Sequence, residues 1–332
     1  MIIAVDADGG DFAPRELVRG AVEAADEYGV GITLIGKKAV LDMLGRRFGK
    51  KRNITIVEAN QGIECSESPV QAVRSKPDSA IVIGTKLVKD GKADAFVSAG
   101  STGAVLAAAF LFLERIKGVQ RPALCGIIQI NPQSPVLLID VGANVDCRPN
   151  QLVQFGQLGA TFAKQFLYID SPRIGLLNNG AEEIKGNLLA KESYQYLLKS
   201  NLNFIGNVEG QDILQNKADV IVTDGFTGNI VLKALEGFGD TFMNALGIGR
   251  SLKVDQQLQG TALVHYVELA SMVKRTDYKE YGGACLLGVN GNIIVAHGRS
   301  QSRAIKNAIH LAHHASETNV VDAIKNSSYL TK

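Results

Sequence analysis

The chain repeats one unit along most of its length: a short apolar run rich in β-branched residues, a glycine-rich turn, and an amphipathic segment. The apolar runs predict strands at Ile2–Asp6, Gly31–Gly36, Ile54–Glu58, Ala95–Ser98, Leu124–Ile130, Pro135–Asp140, Arg173–Leu177, Val220–Thr223, Ala284–Gly288 and Ile293–His297. Helical periodicity between them predicts helices that include Arg15–Glu27, Gln151–Phe166, Ile184–Leu198 and Ser302–Ala315. Buried strands that alternate with helices are typical of a three-layer α/β/α fold with a mostly parallel sheet.

The last two predicted strands depart from the parallel pattern. They are joined through Asn290–Gly291, a pair that favours the tight turn of an antiparallel hairpin. We therefore predict a mixed sheet, parallel over most of its width.

One internal repeat suggests how the fold is organised. Residues 92–103 read KADAFVSAGSTG and residues 217–228 read KADVIVTDGFTG, with seven of twelve positions identical. The repeat predicts two half-domains related by duplication, each with a strand, a turn and a helix. The alternative is convergence of two tight turns on the same residues, which the shared Lys-Ala-Asp before each strand disfavours.

The segment 237–275 interrupts the alternation of strands and helices. Its pattern predicts a helical insertion that contacts a second subunit, a membrane, or both. No linker rich in Pro or Ser divides the chain, so residues 1–332 are predicted to form a single catalytic α/β domain.

The composition argues against several classes of protein. A net charge of +2 gives no whole-chain reason to expect a nucleic-acid partner. The cysteines are scattered without metal-site spacing, which favours a reducing cytoplasm, and the first residues do not resemble a signal peptide. The longest apolar run, Gly103–Leu113, is shorter than the roughly 20 residues that span a bilayer, so it predicts a buried core helix.

Five glycine-rich turns follow predicted strands, where ligands bind in open α/β sheets. They are DADGGD (6–11), SAGSTGA (98–104), DVGANVD (140–146), NNGAEEIKGN (178–187) and DGFTGN (224–229). Glycine lets backbone N–H groups approach a ligand closely, and a following helix N-terminus favours an anion. Together the turns predict an anion site. The predicted binding residues are Gly9, Gly10, Gly100, Ser101, Thr102, Gly103, Asp140, Gly142, Asn178, Asp224, Gly225, Thr227 and Gly228, with Asn144 and Asn229 as catalytic candidates.

An anion needs a cation, and Lys185 is the strongest candidate because it lies inside a turn-rich motif. The dinucleotide and P-loop glycine fingerprints and the serine-hydrolase elbow are not present, so no cofactor is predicted. A metal site is the weaker alternative, built from carboxylates near strand ends that otherwise fix turns and cap helices. Those acids are Asp6, Asp11, Asp140, Asp146 and Asp224.

Taken in order, these motifs resemble the PlsX family of acyl-[acyl carrier protein]:phosphate acyltransferases. The matching segments cover nearly the whole chain: DADGGDFAP, VSAGSTGA, LLIDVGANVDCRPNQLVQF, PRIGLLNNGAEEIKGN, NFIGNVEGQDI, ADVIVTDGFTGNIVLK and YGGACLLGV. The chain departs from the family pattern at four positions: Asp8 stands for Met, Ser101 for Asn, Ala181 for an acid and Cys285 for Pro.

The resemblance implies transfer of a fatty acyl group from the carrier's phosphopantetheine thioester to inorganic phosphate. It also implies the two intertwined half-domains of the isocitrate/isopropylmalate dehydrogenase fold. A homodimer in the cytoplasm is implied, associated peripherally with the membrane surface, where a membrane acyltransferase takes the product. Three alternatives stay open: a CoA-dependent phosphate acetyl- or butyryltransferase, a dehydrogenase of the same fold, and a non-catalytic anion-binding or membrane-scaffold protein.

Overall fold

The computed structural model describes residues 1–48, 53–128, 134–245 and 281–327. Within these ranges the backbone forms one sheet of eleven strands in the order β3-β2-β1-β4-β11-β10-β5-β6-β9-β7-β8. The strands are β1 (Ile2–Asp6), β2 (Gly31–Gly36), β3 (Ile54–Glu58), β4 (Ala95–Ser98), β5 (Ala123–Ile128), β6 (Val136–Ile139), β7 (Ile174–Leu177), β8 (Phe204–Val208), β9 (Val220–Val222), β10 (Gly283–Leu287) and β11 (Asn292–Ala296).

Helices cover both faces of this sheet. They are α1 (Arg15–Tyr28), α2 (Lys38–Phe48), α3 (Pro69–Ser75), α4 (Ala80–Lys89), α5 (Thr102–Ala108), α6 (Pro149–Phe166), α7 (Leu188–Leu198), α8 (Gly225–Ala245), α9 (Ser302–Glu317) and α10 (Val320–Lys325). A π-helical turn, Ala109–Leu113, continues α5, and a 3₁₀ helix spans Gly210–Gln215. None of the helices in the described ranges combines the length and apolar character needed to cross a membrane.

The core consists of two apolar clusters, one on each face of the sheet. Along β1, Ile3 and Val5 belong to one cluster and Ala4 to the other, because successive side chains of a strand point to opposite faces. All three residues are fully buried. The three-layer α/β/α architecture with a mostly parallel mixed sheet is therefore confirmed.

The strands run in two opposite directions. β1, β2, β3, β4 and β11 are mutually parallel, and so are β6, β7, β8 and β9. Between these two blocks, β11, β10, β5 and β6 pair antiparallel at each step. Because there are three reversals, β4 and β6 are antiparallel. The carboxyl ends of the two blocks therefore lie at opposite edges of the sheet, where edge means the line along which strands end and not an outermost strand.

Most predicted elements are present, and the Asn290–Gly291 hairpin between β10 and β11 is confirmed. β1 to β4 have the predicted bounds. β8 was not predicted, because its sequence FIGNV is short, contains Gly206 and forms a half-exposed edge strand. The predicted helix Ile184–Leu198 begins at Leu188 instead, since Asn187 caps it by accepting a hydrogen bond from the Ala190 N–H (2.8 Å).

The internal repeat coincides with β4 followed by α5 and with β9 followed by α8. β4 is the fourth strand from one edge of the sheet, whereas β9 is the third from the other. Strand rank therefore does not support a strict two-fold relation, and the duplication stays a prediction. Of the predicted insertion 237–275, residues 237–245 continue α8, and the remainder lies outside the described residues.

Candidate active site

The five glycine-rich turns form two separate clusters rather than the one site that the sequence suggested. The turns 6–11 and 98–104 follow β1 and β4, and with residues 297–302 they form the first-half cluster. The turns 140–146, 178–187 and 224–229 follow β6, β7 and β9 and form the second-half cluster. Because the two strand blocks run in opposite directions, the clusters lie at opposite edges of the sheet.

Strand register brings the three turns of the second-half cluster together. Ile139 of β6 pairs with Val222 of β9, and Val222 pairs with Leu176 of β7. Neighbouring strands lie about 4.8 Å apart. The three turns therefore begin side by side, at the same level of the sheet.

Asp140 organises the first of these turns. Its side chain is fully buried and accepts hydrogen bonds from the backbone N–H groups of Leu124 (2.9 Å), Gly142 (3.2 Å), Ala143 (3.0 Å) and Asn144 (2.7 Å). Burial raises the pKa of Asp140, and these hydrogen bonds oppose that rise. A carboxyl group enclosed in this way fixes the turn, which supports the structural role over metal ligation.

The N-terminus of α8 packs directly on this turn. The Gly225 N–H donates to the Asn144 carbonyl (2.7 Å), and a Cβ at Gly225 or Gly228 would collide with the main chain of the turn. Asp224 caps the helix by accepting from the Thr227 N–H and the Thr227 hydroxyl, both at 2.8 Å. Glycine at these positions thus lets a helix N-terminus, which attracts anions, approach the neighbouring turn.

The side-chain amides of the two candidate asparagines differ in their hydrogen bonds. Asn144 is buried, and its side-chain amide donates to the Pro122 carbonyl (2.8 Å) and to Asp140 (2.9 Å). Asn229 is half-buried against Gly142, and its side chain makes no hydrogen bond within the described ranges. Asn229 is therefore available to a ligand, whereas the amide hydrogens of Asn144 hold the turn.

Lys185 lies in the third turn and is half-exposed. Its ammonium group is 4.0 Å from Glu182, the outer limit of an ion pair, so it remains accessible to an anion. Asn207 of β8 fixes the turn by donating from its side-chain amide to the Glu182 carbonyl (2.8 Å), which also accepts from the Lys185 N–H (3.1 Å). Asn178 also donates to the Lys185 carbonyl (3.2 Å).

Cys147 follows the first turn without supplying a nucleophile. Its thiol donates to the Asn144 carbonyl (3.5 Å), and burial raises the pKa of Cys147 to about 12. The thiolate is the reactive form of cysteine, and such a pKa leaves the group neutral at physiological pH. The second-half cluster accordingly offers a cation, amide donors and a helix N-terminus.

The first-half cluster is built around a second buried carboxyl group. Asp6 accepts from the N–H groups of Asp8 and Gly9, both at 3.0 Å, and from the Ser98 hydroxyl (2.7 Å). Burial raises the pKa of Asp6 to about 6. Ser98 also accepts from the Gly100 N–H (3.1 Å), so it ties the two turns of this cluster together.

Other predicted residues of the first-half cluster make fewer side-chain hydrogen bonds within the described ranges than Asp6 does. Gly10 adopts a left-handed conformation (φ +102°) beside the Gly298 carbonyl, which accepts from the Asp11 N–H (2.8 Å). Ser101 precedes α5 without a capping hydrogen bond, and Thr102 is exposed. The pKa of Asp8, one of the four departures from the family pattern, is raised by burial, and the charge of Lys37 opposes only part of that rise.

Helix α8 connects the two edges of the sheet. It starts at Gly225 in the second-half cluster, and its buried Glu236 is 3.4 Å from His297, which belongs to the first-half cluster. Eleven residues of helix at roughly 1.5 Å per residue separate Gly225 from Glu236, about 16 Å. An elongated substrate is therefore needed to contact both clusters at once.

Sequence reasoning missed three contributors to the site: Ser98, Asn207 and Glu236. Ser98 begins the predicted turn 98–104 but ends β4 and was not among the predicted binding residues, whereas Asn207 lies within a strand and Glu236 within a helix, so neither carries the glycine signal of a turn. In the ranges the structure describes, no three His, Cys, Asp or Glu side chains are grouped to hold a metal ion.

Comparison with known proteins identifies the family. The model of the family described as "Fatty acid synthesis protein" matches residues 1–323. A phosphate acyltransferase from Dehalococcoides mccartyi is 59% identical over 320 residues, which cover 96% of this chain and 92% of the relative.

Solved structures with the same fold include two phosphotransacylases. A phosphotransacetylase from Streptococcus pyogenes superposes with a TM-score of 0.61 at 19% identity, covering 97% of this chain and 94% of that one. A branched-chain phosphotransacylase from Enterococcus faecalis gives 0.60 at 15% identity, covering 95% and 99%. Identities this low show only a shared fold. Membership of the family is shown by the match to the family model and by the 59% identity over 96% of the chain. The chain therefore belongs to the fatty acid synthesis protein family, together with its phosphate acyltransferase relatives.

Proposed function

We propose that this chain is a phosphate acyltransferase that moves a fatty acyl group from acyl carrier protein to inorganic phosphate, giving acyl phosphate for phospholipid synthesis. The observation that carries the proposal is the 59% identity to a phosphate acyltransferase over 96% of the chain. The side chains and turns of the second-half cluster suit an anionic acceptor and support the same reaction.

The reaction requires little from the protein beyond positioning and charge stabilisation. A phosphate oxygen attacks the thioester carbonyl, the tetrahedral intermediate carries the negative charge on oxygen, and the C–S bond breaks to release the carrier thiolate. Phosphate is already the nucleophile, so no activated Ser, Cys or His is needed. Holding the reactants together and placing donors at the developing oxyanion are the main contributions of such a site.

We assign these contributions to the second-half cluster. Lys185 supplies the cation, the Asn229 amide supplies a donor for phosphate or the oxyanion, and the positive end of the α8 dipole attracts the anion. Asp140, Asn144 and Asp224 hold the turns that carry these groups, through the hydrogen bonds described above. Carboxylates repel phosphate unless their charge is offset, and both Asp140 and Asp224 face backbone N–H groups.

The test is direct detection of the product with two alternative donors. The full chain is incubated with inorganic phosphate and either acyl carrier protein thioester or acyl-CoA, and acyl phosphate is trapped with hydroxylamine. We expect product with the carrier thioester. Product with acyl-CoA but not with the carrier would instead favour a CoA-dependent phosphate acetyl- or butyryltransferase.

We predict that Lys185→Ala lowers kcat/KM for phosphate by about 100-fold, the usual effect of removing one preorganised charge-stabilising group. Lys199→Ala is the matched control, because Lys199 is an exposed lysine at the far end of α7. It should retain wild-type kinetics. Equal kcat/KM for Lys185→Ala and wild type, in folded protein, would remove Lys185 from the site.

We also propose that the chain forms a homodimer and associates peripherally with the cytoplasmic membrane surface, where a membrane acyltransferase receives acyl phosphate. Two exposed apolar residues on α8, Phe226 and Ile230, lie one helical turn apart and support an interface on that helix. The predicted contact segment 237–275 lies largely outside the described residues. Sedimentation of the full chain tests the dimer, and flotation with anionic vesicles tests membrane association.

A further inference from the structure

A concave basic surface lies beside the second-half cluster and takes no part in the chemistry proposed above. The cavity has a volume of about 580 Å³ and is lined by Phe110, Glu114, Arg115, Ile116, Lys117, Gly118, Val119, Gln120, Arg121 and Pro122. Ligand pockets commonly have volumes of roughly 300–1,000 Å³. Its lining contains three cationic residues, Arg115, Lys117 and Arg121, and one acid, Glu114. The surface is therefore suited to a negatively charged partner.

The segment 114–122, called the rim loop here, is held in place by contacts with its surroundings. The buried Gln154 of α6 accepts from the Gln120 N–H (2.6 Å) and donates to the Gly118 carbonyl (2.9 Å). The Ile116 N–H donates to the Gly288 carbonyl (3.0 Å). A loop fixed in this way loses little conformational entropy when a partner binds.

Two cations of the rim loop remain available to a partner. Lys117 and Arg121 are exposed, and neither forms an ion pair within the described part of the chain. Arg115 differs, because it donates to the Gln120 carbonyl and so braces the loop. The π-helical turn that precedes the loop supplies Phe110 to the cavity wall, and such turns are frequent at functional sites.

The rim loop is joined directly to the turn that supports the proposed chemistry. Pro122 lines the cavity, and its carbonyl accepts from the Asn144 side chain (2.8 Å). Two residues further on, the Leu124 N–H donates to Asp140 (2.9 Å). A partner held on the rim loop therefore stands next to the second-half cluster, separated from it by the chain between Arg121 and Leu124.

We propose that the rim loop docks the acyl carrier protein, with Lys117 and Arg121 contacting its acidic surface. The inference rests on the proposed function, since it names where the donor of that reaction binds. A partner that delivers an acyl group on a flexible arm must dock within reach of the reacting atoms, and the rim loop meets this requirement. Complementary charges at such a surface raise the association rate and fix orientation.

Another exposed basic pair, Arg46 and Arg47, provides a comparison. It lies on α2, which packs on β2 and β3 at the outer edge of the first-half strands. Five strands lie between β2 and β6, the strand that leads into the second-half cluster. A carrier docked on α2 is therefore remote from Lys185, although the local charge is similar.

The experiment compares Lys117→Glu/Arg121→Glu with the control Arg46→Glu/Arg47→Glu, which carries the same change of charge. Binding of fluorescently labelled acyl carrier protein is measured by anisotropy, independently of turnover. KM and kcat are then measured with the carrier thioester and with a small S-acyl pantetheine donor. Circular dichroism verifies that both variants fold.

For Lys117→Glu/Arg121→Glu we expect carrier Kd and KM to rise at least about tenfold, with the kinetics of the small donor unchanged and the control close to wild type. Wild-type carrier Kd in the rim variant, or an equal loss in the control, would overturn the proposal. A fall in kcat with both donors would also overturn it, by showing damage to the chemistry rather than to docking. If the wild type binds the carrier through the rim loop but forms no acyl phosphate, the docking surface stands and the proposed function fails.

Discussion

At the scale of single residues, two buried aspartates determine the shape of the site. Asp6 and Asp140 follow directly on apolar strand residues, and each accepts hydrogen bonds from the turn that follows it. Burial raises the pKa of both groups. A carboxylate that is costly to bury and saturated with backbone donors shapes a turn, and it leaves ligand contact to its neighbours.

Asp6 leads to a prediction about pH. Its pKa rises from 3.8 to about 6 on folding, and at about 1.4 kcal/mol per pKa unit this corresponds to about 3 kcal/mol. Because the folded state holds this proton more tightly than the unfolded state, the Asp6 contribution lowers the free energy of unfolding as pH rises from about 4 to 6.

Asp6→Asn removes this titration while keeping the side-chain size. Between pH 4 and pH 7 the free energy of unfolding of wild type should fall through the titration of Asp6, and that of the variant should not. We therefore expect the decrease in wild type to exceed the decrease in the variant by up to about 3 kcal/mol. Urea unfolding at several pH values measures the difference. Identical pH profiles for the two proteins would mean that Asp6 does not titrate in this range.

At the scale of elements, helix α8 is the component on which both clusters depend. Gly225 and Gly228 let its N-terminus rest on the main chain of the turn 140–146, and Glu236 meets His297 at the other edge of the sheet. A side chain near the start of the helix would displace the helix from the turn. The same helix contains Gly237, where a Cβ meets nothing within 4 Å.

This contrast within one helix predicts opposite effects of the same substitution. Gly228→Ala should destabilise the protein by about 1–3 kcal/mol, the usual cost of overpacking, and lower activity because the α8 N-terminus moves. Gly237→Ala should stabilise it by up to about 1 kcal/mol, since alanine favours a helix over glycine. Urea midpoints and initial rates of both variants test this, and equal stability would contradict the packing described for Gly228.

At the scale of the whole molecule, both clusters are candidates for the phosphate site. The first-half cluster contains Arg299 among the acids Asp6, Asp8 and Asp11, whereas the second-half cluster contains Lys185 and the N-terminus of α8 among the acids Asp140, Asp146, Glu182, Glu183 and Asp224. Formal charge does not distinguish the two clusters, because each contains one lysine or arginine among several acids. The side chains of Ser101 and Asn229, one in each cluster, make no hydrogen bond within the described ranges and give a matched comparison.

We predict that Asn229→Ala raises KM for phosphate by about tenfold, the loss of one hydrogen bond to a charged group, while Ser101→Ala changes it less than twofold. Steady-state kinetics with phosphate varied at saturating carrier thioester measures both. The reverse pattern would move the phosphate site to the first-half cluster, and equal increases would contradict the assignment of phosphate to the second-half cluster.

Much of the fold is readable from local pattern. β1 to β4 are continuous apolar runs bounded by turns, and the helices Arg15–Tyr28 and Ser302–Glu317 have a clear apolar face, so their bounds follow closely from the sequence. β8 lacks such a continuous apolar run, because an edge strand buries only part of its surface. Residues of the site could be named for the same local reason, since glycine, asparagine and aspartate mark turns wherever they occur.

The sequence by itself determined the order of the elements other than β8, the turns at strand ends, the hairpin at Asn290–Gly291 and the family. Only the tertiary structure decided that these turns face two edges of the sheet, because strand direction depends on the antiparallel pairings β11–β10–β5–β6 between residues far apart in the chain. The burial of Asp6 and Asp140 and the position of the rim loop beside Asn144 likewise depend on which strands become neighbours. Local periodicity encodes the elements, whereas contacts across long separations place their ends.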